Sequence, residues 1–80
     1  MASNDFTDKQ GEYLTFIYAY TLLHKQPPAV TDIADHFGVR PPSAQRMVVE
    51  LEQRGLIRKT PRAARSIEVL VPPEQIPRLW

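Results

Sequence analysis

Two consecutive prolines, Pro41 and Pro42, constrain the fold of this chain more than any other feature of its sequence. A residue before proline is held out of the α region, whereas proline itself fits the first turn of a helix, so the pair marks a helix start. The sequence predicts a helix from Pro42 to Arg54, with Gly55 as the stop signal. The residues of its buried face recur at helical spacing: Ala44, Met47, Val48 and Leu51.

The start of this helix is also a candidate anion site. Pro41 would occupy the N-cap and has no side-chain acceptor, so the amides of Ser43 and Ala44 are predicted to lack an internal partner. Unpaired amides at a helix N-terminus attract phosphate groups. The alternative is a surface helix whose first turn is satisfied by water or by Ser43 itself.

Length and composition allow one small domain held together by its hydrophobic core. The chain has 80 residues, 42% of them apolar, and no cysteine for a disulfide or a thiolate metal site. It contains no run close to the roughly 20 apolar residues of a membrane span, and its N-terminus lacks the order of a secretion signal. We therefore expect a cytoplasmic protein with no membrane partner.

The charges divide along the chain. Residues 1–39 carry two lysines against five acidic residues, whereas residues 40–71 carry seven arginines and lysines against three glutamates. The basic half begins where the proline-started helix begins. This asymmetry indicates a polyanionic partner, and a solvated charged face is the alternative.

A first helix is expected from Asp8 to His24. The sequence from Thr7 to Gln10 has the form of a capping box, and the helix ends before Pro27. Its outward positions carry more apolar side chains than one buried face needs, which indicates either self-association or scattered exposed apolar residues. We expect a homodimer, with contacts from Tyr18, Leu22, Ile76, Leu79 and Trp80.

A short second helix is expected between the first and the proline-started helix. Thr31 reads as the N-cap of a two-turn helix from Asp32 to Phe37, which ends at Gly38. This helix, the turn containing Gly38 and the proline-started helix together have the dimensions of a helix-turn-helix.

After Gly55 the hydrophobic period changes from that of a helix to that of a strand. Residues 56–60 and 66–71 are predicted strands, joined by a loop at 61–64. A hairpin directly after a helix-turn-helix is a wing, whose basic residues could reach phosphates or the minor groove; alternatively they keep an edge strand soluble. These residues are Arg58, Lys59, Arg62 and Arg65.

The predicted fold is mainly α with a small β-hairpin: a winged helix-turn-helix of three helices and a two- or three-stranded antiparallel sheet. We assign residues 1–6 to a flexible N-terminus, 7–71 to the domain and 72–80 to a C-terminal tail. One helical turn is expected from Glu74 to Ile76 in the tail.

The ordered residues resemble the N-terminal winged-helix DNA-binding domain of LexA-type repressors and, more loosely, MarR-like regulators. The resemblance runs from Thr7 to Ile57. In that family the third helix enters the major groove and the hairpin contacts the backbone. A C-terminal self-cleaving domain, which LexA-type repressors also carry, is not expected here because the sequence ends at Trp80. The resemblance is carried by Leu14, Phe16-Ile17, Tyr20, Pro27-Pro28, Ile33-Ala34, Phe37-Gly38-Val39, Pro42-Ser43, Leu51-Glu52 and Gly55-Leu56-Ile57.

The expected function is that of a transcriptional regulator that binds double-stranded DNA sequence-specifically. Gln45 and Arg46 would read base edges, since glutamine favours adenine and arginine favours guanine, and Val49 could meet a thymine methyl group. The sequence gives no operator and no small-molecule effector. The full set of expected DNA contacts is Thr31, Arg40, Pro42, Ser43, Ala44, Gln45, Arg46, Val49, Arg58, Lys59, Arg62 and Arg65.

A winged-helix module that binds another protein is the alternative, supported by the net charge of only +1 and the surplus of apolar residues. An enzyme is not expected, because no nucleophile with a base and no glycine-rich phosphate loop can be found. Asp32, Asp35 and His36 have a metal-like spacing, but a single imidazole on a short helix is more typical of a solvated face. We expect no metal and no other cofactor.

Overall fold

The computed structural model describes residues 6–63 and 65–76. Antiparallel pairing joins the two strands, with Ile57 opposite Val69 and Arg58 opposite Glu68. This mainly helical arrangement is a winged helix, and the predicted fold class is confirmed. The elements of the described part are, in order, α1 (Asp8–His24), α2 (Val30–Phe37), α3 (Pro41–Gln53), β1 (Ile57–Arg58), β2 (Glu68–Val69) and a 3-10 turn (Pro73–Gln75).

Helix α1 begins and ends where the sequence predicts. The Thr7 hydroxyl accepts a hydrogen bond from the Gln10 N–H at 3.1 Å, and Gln10 Oε1 accepts one from the Thr7 N–H at 2.9 Å. At the other end Lys25 takes a left-handed conformation and its N–H donates to the Thr21 carbonyl. Neither α1 nor any other helix of the described residues is long and apolar enough to cross a membrane.

Helix α2 begins earlier than predicted, and the assignment of Thr31 as its N-cap is wrong. The helix starts at Val30, and the N-cap is Ala29, whose side chain has no acceptor. The Asp32 carboxylate satisfies the cap instead, because its Oδ2 accepts a hydrogen bond from the Ala29 N–H at 2.9 Å. Thr31 is left exposed in the first turn. The predicted end of the helix at Gly38 is confirmed.

The core lies where the three helices meet the hairpin. Ala44, Val48 and Leu51 are fully buried, as the predicted inner face of α3 requires, and Met47 is partly buried. Burying one side of α3 leaves its other side to solvent. The remaining core residues are Tyr13, Leu14 and Ile17 of α1, Ile33 and Ala34 of α2, and Leu56, Ile57 and Ile67 of the hairpin.

The two strands are shorter than predicted, with two residues in each. The predicted loop is correspondingly longer, and it contains a tight turn over residues 60–63, in which the Ala63 N–H donates to the Thr60 carbonyl at 3.2 Å. Proline at the second position and a φ of 68° at Arg62, the third, are typical of a type II turn. Glycine usually occupies that third position because it adopts a positive φ without strain. Here the turn forms with arginine in that position.

The wing turn is closed by Ser66. Its hydroxyl oxygen accepts a hydrogen bond from the Thr60 N–H at 2.9 Å. The same oxygen lies 3.2 Å from the Thr60 carbonyl and 3.1 Å from the Ala63 carbonyl, either of which can accept its proton. One side chain therefore satisfies polar groups on both sides of the turn.

The end of the described chain corrects one predicted dimer contact. Ile76 is buried with 8% of its surface exposed, so it packs on its own domain and is not available to a second copy. The predicted helical turn is present as a 3-10 turn that begins at Pro73, one residue earlier than expected. The predicted contacts Leu79 and Trp80 lie outside the described residues.

Candidate nucleic-acid interface

The outer face of α3 carries the side chains predicted to reach bases. Gln45, Arg46 and Val49 are all exposed. Their spacing of three and four residues places them beside one another on the helix surface. In the described part of the chain, Arg46 has neither an ion-pair partner nor a side-chain hydrogen bond. These three side chains are therefore free to contact a ligand.

Helix α3 starts one residue earlier than predicted, and the predicted anion site is absent. Arg40 is the N-cap, and Pro41 and Pro42 occupy the first two positions, where neither has an N–H to offer. The N–H groups of Ser43 and Ala44 both donate to the Arg40 carbonyl, at 2.9 and 3.2 Å. The prediction that these amides lack an internal partner is wrong. Ala44 is also fully buried, so it is not a DNA contact.

The other predicted DNA contacts near the start of α3 are exposed, unlike Ala44. Pro42, Ser43 and Arg40 are exposed at the start of α3, and Thr31 is exposed in the first turn of α2. Arg40 has no ion-pair partner among residues 6–63 and 65–76. The polar side chains near the start of α3, rather than its amides, are therefore the groups open to an anion.

The wing carries two kinds of basic residue. Arg58 forms an ion pair with Glu68, the residue opposite it in the strand pair. Both side chains are more than half exposed, so the pair contributes little to stability and can be broken at small cost. Lys59 and Arg62 have no ion-pair partner within the described residues. Of these three residues, Arg58 and Arg62 are exposed and Lys59 is partly buried.

Arg65, which is predicted to contact phosphate, makes polar contacts within the domain while 38% of its side chain remains exposed. Its Nη1 atom lies 2.9 Å from Asp32 Oδ2, 3.2 Å from the Tyr20 hydroxyl and 3.3 Å from the Pro27 carbonyl. The Tyr20 hydroxyl also lies 3.3 Å from Asp32 Oδ2. The guanidinium thus links the wing to the helices through one of its nitrogens, and its role as a phosphate contact stays a prediction.

Asp32 is ionised at neutral pH. The hydrogen bond from the Ala29 N–H, opposed by partial burial and assisted by the Arg65 guanidinium, holds the pKa of Asp32 below its ordinary value of 3.8. The pKa of Arg65 is raised, first by its hydrogen bond with Tyr20 and then by the Asp32 carboxylate. The contact between wing and helices is therefore a charged one.

Comparison with known proteins identifies the family. The sequence profile of the family described as "Iron dependent repressor, N-terminal DNA binding domain" matches residues 5–64. This chain belongs to that family. The match covers α1, α2, α3 and β1, and so includes the whole helix-turn-helix.

Several curated relatives are LexA repressors, which confirms the resemblance found in the sequence. The chain is 35% identical over 72 residues to the LexA repressor of Thermosipho africanus, a match that covers 90% of this chain and 36% of that protein. It is 50% identical over 44 residues to the LexA repressor of Magnetococcus marinus, a match that covers 55% of this chain and 19% of that protein. It is 42% identical over 67 residues to the LexA repressor of Clostridioides difficile, a match that covers 82% of this chain and 32% of that protein. The chain thus spans about a third, or less, of each of these relatives.

The family description names iron, but the side chains with metal-like spacing are engaged in other contacts. Asp32, whose spacing to Asp35 and His36 resembles a metal site, is already bonded to Arg65 and Ala29. The His36 ring stacks on the Phe16 ring, with centroids 4.2 Å apart. No group of three or more histidine and acidic side chains in the described residues could hold a metal ion. These residues therefore do not fit a bound iron.

Proposed function

We propose that this domain binds double-stranded DNA sequence-specifically as part of a transcriptional regulator. Helix α3 lies in the major groove and the wing lies along the sugar-phosphate backbone. The observation that carries the proposal is the outer face of α3, where Gln45, Arg46 and Val49 stand free while the opposite face is buried. An α-helix fits the major groove of B-form DNA, and family membership supports the same mode of binding.

Base reading is assigned to three side chains of α3. Arg46 donates two hydrogen bonds to a guanine, Gln45 pairs with an adenine and Val49 packs on a thymine methyl group. Since Arg46 has no partner in the described part of the domain, it breaks no internal bond when it binds. A good bidentate contact of this kind discriminates against a wrong base by about 1–3 kcal/mol.

Backbone contacts are assigned to the exposed polar groups around α3 and in the wing. Arg40 and Ser43 lie at the start of α3, and Thr31 lies in the first turn of α2. Lys59 and Arg62 extend the positive surface into the wing, and Arg58 joins them once it leaves Glu68. Contacts of this kind fix orientation on the duplex without reading sequence.

The test is selection of a preferred duplex from random oligonucleotides, followed by measurement of affinity against salt concentration. Each neutralised phosphate should contribute about −0.9 to the slope of log affinity against log salt. We expect a slope of about −2.7 to −3.6 for Arg40, Lys59, Arg62 and a partly engaged Arg58. Lys9→Ala removes an equal charge from α1 and serves as the control that should leave the slope unchanged.

A protein-binding module is the second candidate function. It is favoured by the exposed apolar side chains on α1, where Leu22 is 57% and Leu23 78% exposed. A slope near zero together with no selected sequence would support this candidate over DNA binding, because an apolar protein contact releases few counterions.

The domain is further proposed to occupy DNA as two copies on half-sites about one helical turn apart. A single module buries only about 600–1,000 Å² on DNA, and pairing two modules raises specificity. Tyr18 and Leu22 lie four residues apart on α1 and form the proposed contact between copies. Leu22→Glu should shift the mass in sedimentation toward the monomer, and Leu23→Glu, on the neighbouring exposed position, is the matched control. Two copies that persist with Leu22→Glu would exclude this contact.

A further inference from the structure

The strand pairing of the wing is too short to fix its position. Only two residue pairs join β1 and β2, and one more backbone hydrogen bond runs from the Leu70 N–H to the Leu56 carbonyl at 2.9 Å. An isolated two-stranded hairpin is marginal in water even when it is longer. Ser66 closes the turn at residues 60–63 but bonds only to the wing itself. The buried side chains of Ile57 and Ile67 anchor the base of the wing in the core. The exposed turn at residues 60–63 lies beyond that anchor.

Packing against α1 supports the wing through Ile67, which is buried in the core with Leu14 and Ile17. Beside this contact, a groove of about 380 Å³ lies between α1 and the segment 66–69. The groove is lined by Tyr18, Thr21, Pro27, Ser66, Ile67, Glu68 and Val69.

Arg65 is the side chain that spans from the wing to the helices. It bonds to the hydroxyl of Tyr20 on α1, the carbonyl of Pro27 between the helices and the carboxylate of Asp32 on α2. We call these contacts the Arg65 latch. Asp32 is itself fixed by its bond to the Ala29 N–H, so the latch is anchored at the start of α2, where the domain also exposes Thr31.

We propose that Asp32, by holding Arg65, sets the position of the wing for DNA binding, so that Arg65 is a positioning residue and not a phosphate contact. The inference rests on the proposed DNA-binding function. It assigns to an acidic residue a favourable role in binding a polyanion. Lys59 and Arg62 are then in position before the duplex binds, so binding does not include the entropic cost of ordering the loop.

The two possible roles of Arg65 make opposite predictions for Asp32. If Arg65 were a phosphate contact, removing Asp32 would free the guanidinium and remove a negative charge near the DNA, so affinity should rise and the salt slope should steepen by about 0.9. If Asp32 acts through wing position, its removal should lower affinity and leave the slope almost unchanged. The sign of the effect therefore decides between the roles.

The experiment compares Asp32→Asn, Arg65→Gln and the double variant on the selected duplex. Asparagine keeps an oxygen for the Ala29 N–H, so α2 retains its cap while the charged contact is lost. We expect each single variant to lower affinity about two- to fivefold, in line with a partly exposed ion pair, and the double variant to lose no more than either single one. Tyr20→Phe removes one latch bond without changing charge and should show a smaller loss of the same kind.

Glu68→Ala is the matched control, because it removes an equal charge from the pair that Arg58 makes within the wing. This variant should tighten binding, whereas Asp32→Asn should weaken it. Tighter binding by Asp32→Asn as well, or a slope reduced by about 0.9 in Arg65→Gln, would overturn the proposal and make Arg65 a phosphate contact.

Hydrogen exchange in the free protein separates failure of the latch from failure of DNA binding. The amides of Thr60 and Ala63 are hydrogen-bonded within the wing turn. In Asp32→Asn and Arg65→Gln both amides should exchange faster, while core amides such as Leu51 keep their wild-type rates. Wild-type exchange rates in both variants would contradict the proposal that the Arg65 latch positions the wing, even if the domain binds DNA. Faster exchange in a domain that binds no duplex would sink the proposed function alone.

Discussion

The α3 segment, residues 40–54, carries three arginines against two glutamates, and the wing, residues 58–68, carries four basic residues against one glutamate. The more basic segment is nevertheless the one in which arginines are paired within the domain. Arg40 and Arg46 have no ion-pair partner among the described residues. In the wing, Arg58 is paired with Glu68 and Arg65 is held by Asp32. A count of charges along a chain therefore measures how much charge is present and does not measure how much is free to meet a polyanion.

The difference arises from where the nearest carboxylates are held. Glu50 lies four residues after Arg46 on α3, a spacing that favours an ion pair. However, the Glu50 carboxylate accepts a hydrogen bond from the side chain of Gln10, a buried residue of α1. That contact draws the acid toward α1 and leaves Arg46 unpaired. Among residues 6–63 and 65–76, Arg58 is the side chain that bonds to Glu68, and the strand register sets the two opposite each other.

The largest effect is expected from Arg46→Ala. Loss of a base contact should weaken binding to the selected duplex by about 1–3 kcal/mol, or roughly 5- to 150-fold, and should relax specificity at one base position. Anisotropy titrations on the selected and single-substituted duplexes measure both. The free energy of unfolding should stay within about 0.5 kcal/mol, because the side chain is exposed and unpaired. Equal weakening on every sequence would make Arg46 a backbone contact.

A smaller effect is expected when the pair in the wing is opened. Glu68→Ala removes the partner of Arg58, so the freed guanidinium should tighten binding about two- to fivefold and steepen the salt slope by up to about 0.9. Arg58→Ala should weaken binding by a similar factor. If Glu68→Ala leaves both affinity and slope unchanged, Arg58 does not face the duplex. The wing then offers fewer cations to the DNA than proposed.

Local patterns predicted the helices well because the signals lie within a few residues. The capping box from Thr7 to Gln10 fixed the start of α1, and Gly38 fixed the end of α2. The start of α3 was displaced by one residue because either of two prolines can occupy the first helical position. That single residue decided whether the amides of Ser43 and Ala44 were free, since a shift of the cap changes every partner in the first turn.

The Arg65 latch could not be predicted from the sequence. Arg65 lies 33 residues after Asp32 and 45 after Tyr20, and no periodicity connects such distant positions. A local signal existed only for Asp32, as the third residue of a helix whose N-cap lacks an acceptor. The partners of the wing arginines depend on how the hairpin packs on the helices, and this is a property of the tertiary structure.

The latch should weaken only at acid pH. The folded pKa of Asp32 is lowered from 3.8, so its charged form contributes stability that is present above that value and is lost as pH falls through the folded pKa. The difference in free energy of unfolding between wild type and Asp32→Asn should be constant between about pH 7 and about pH 5. Below 3.8 it should shrink. Urea titrations across this range measure it, and a gap that grew on acidification would mean that the folded pKa is not depressed.

The last prediction concerns Arg62→Gly at the tip of the wing, which should change stability little. Arginine with a φ of 68° carries a left-handed strain of about 1–2 kcal/mol, which glycine does not. Glycine also loses more conformational freedom on folding, by roughly 0.5–1 kcal/mol, so the two terms largely cancel and unfolding should shift by less than about 1 kcal/mol. The salt slope should nevertheless fall by about 0.9 if Arg62 meets a phosphate. Arg62→Lys keeps the charge and should keep the slope, and a slope that falls in both variants would show that the shape of the turn, and not its charge, is what the duplex requires.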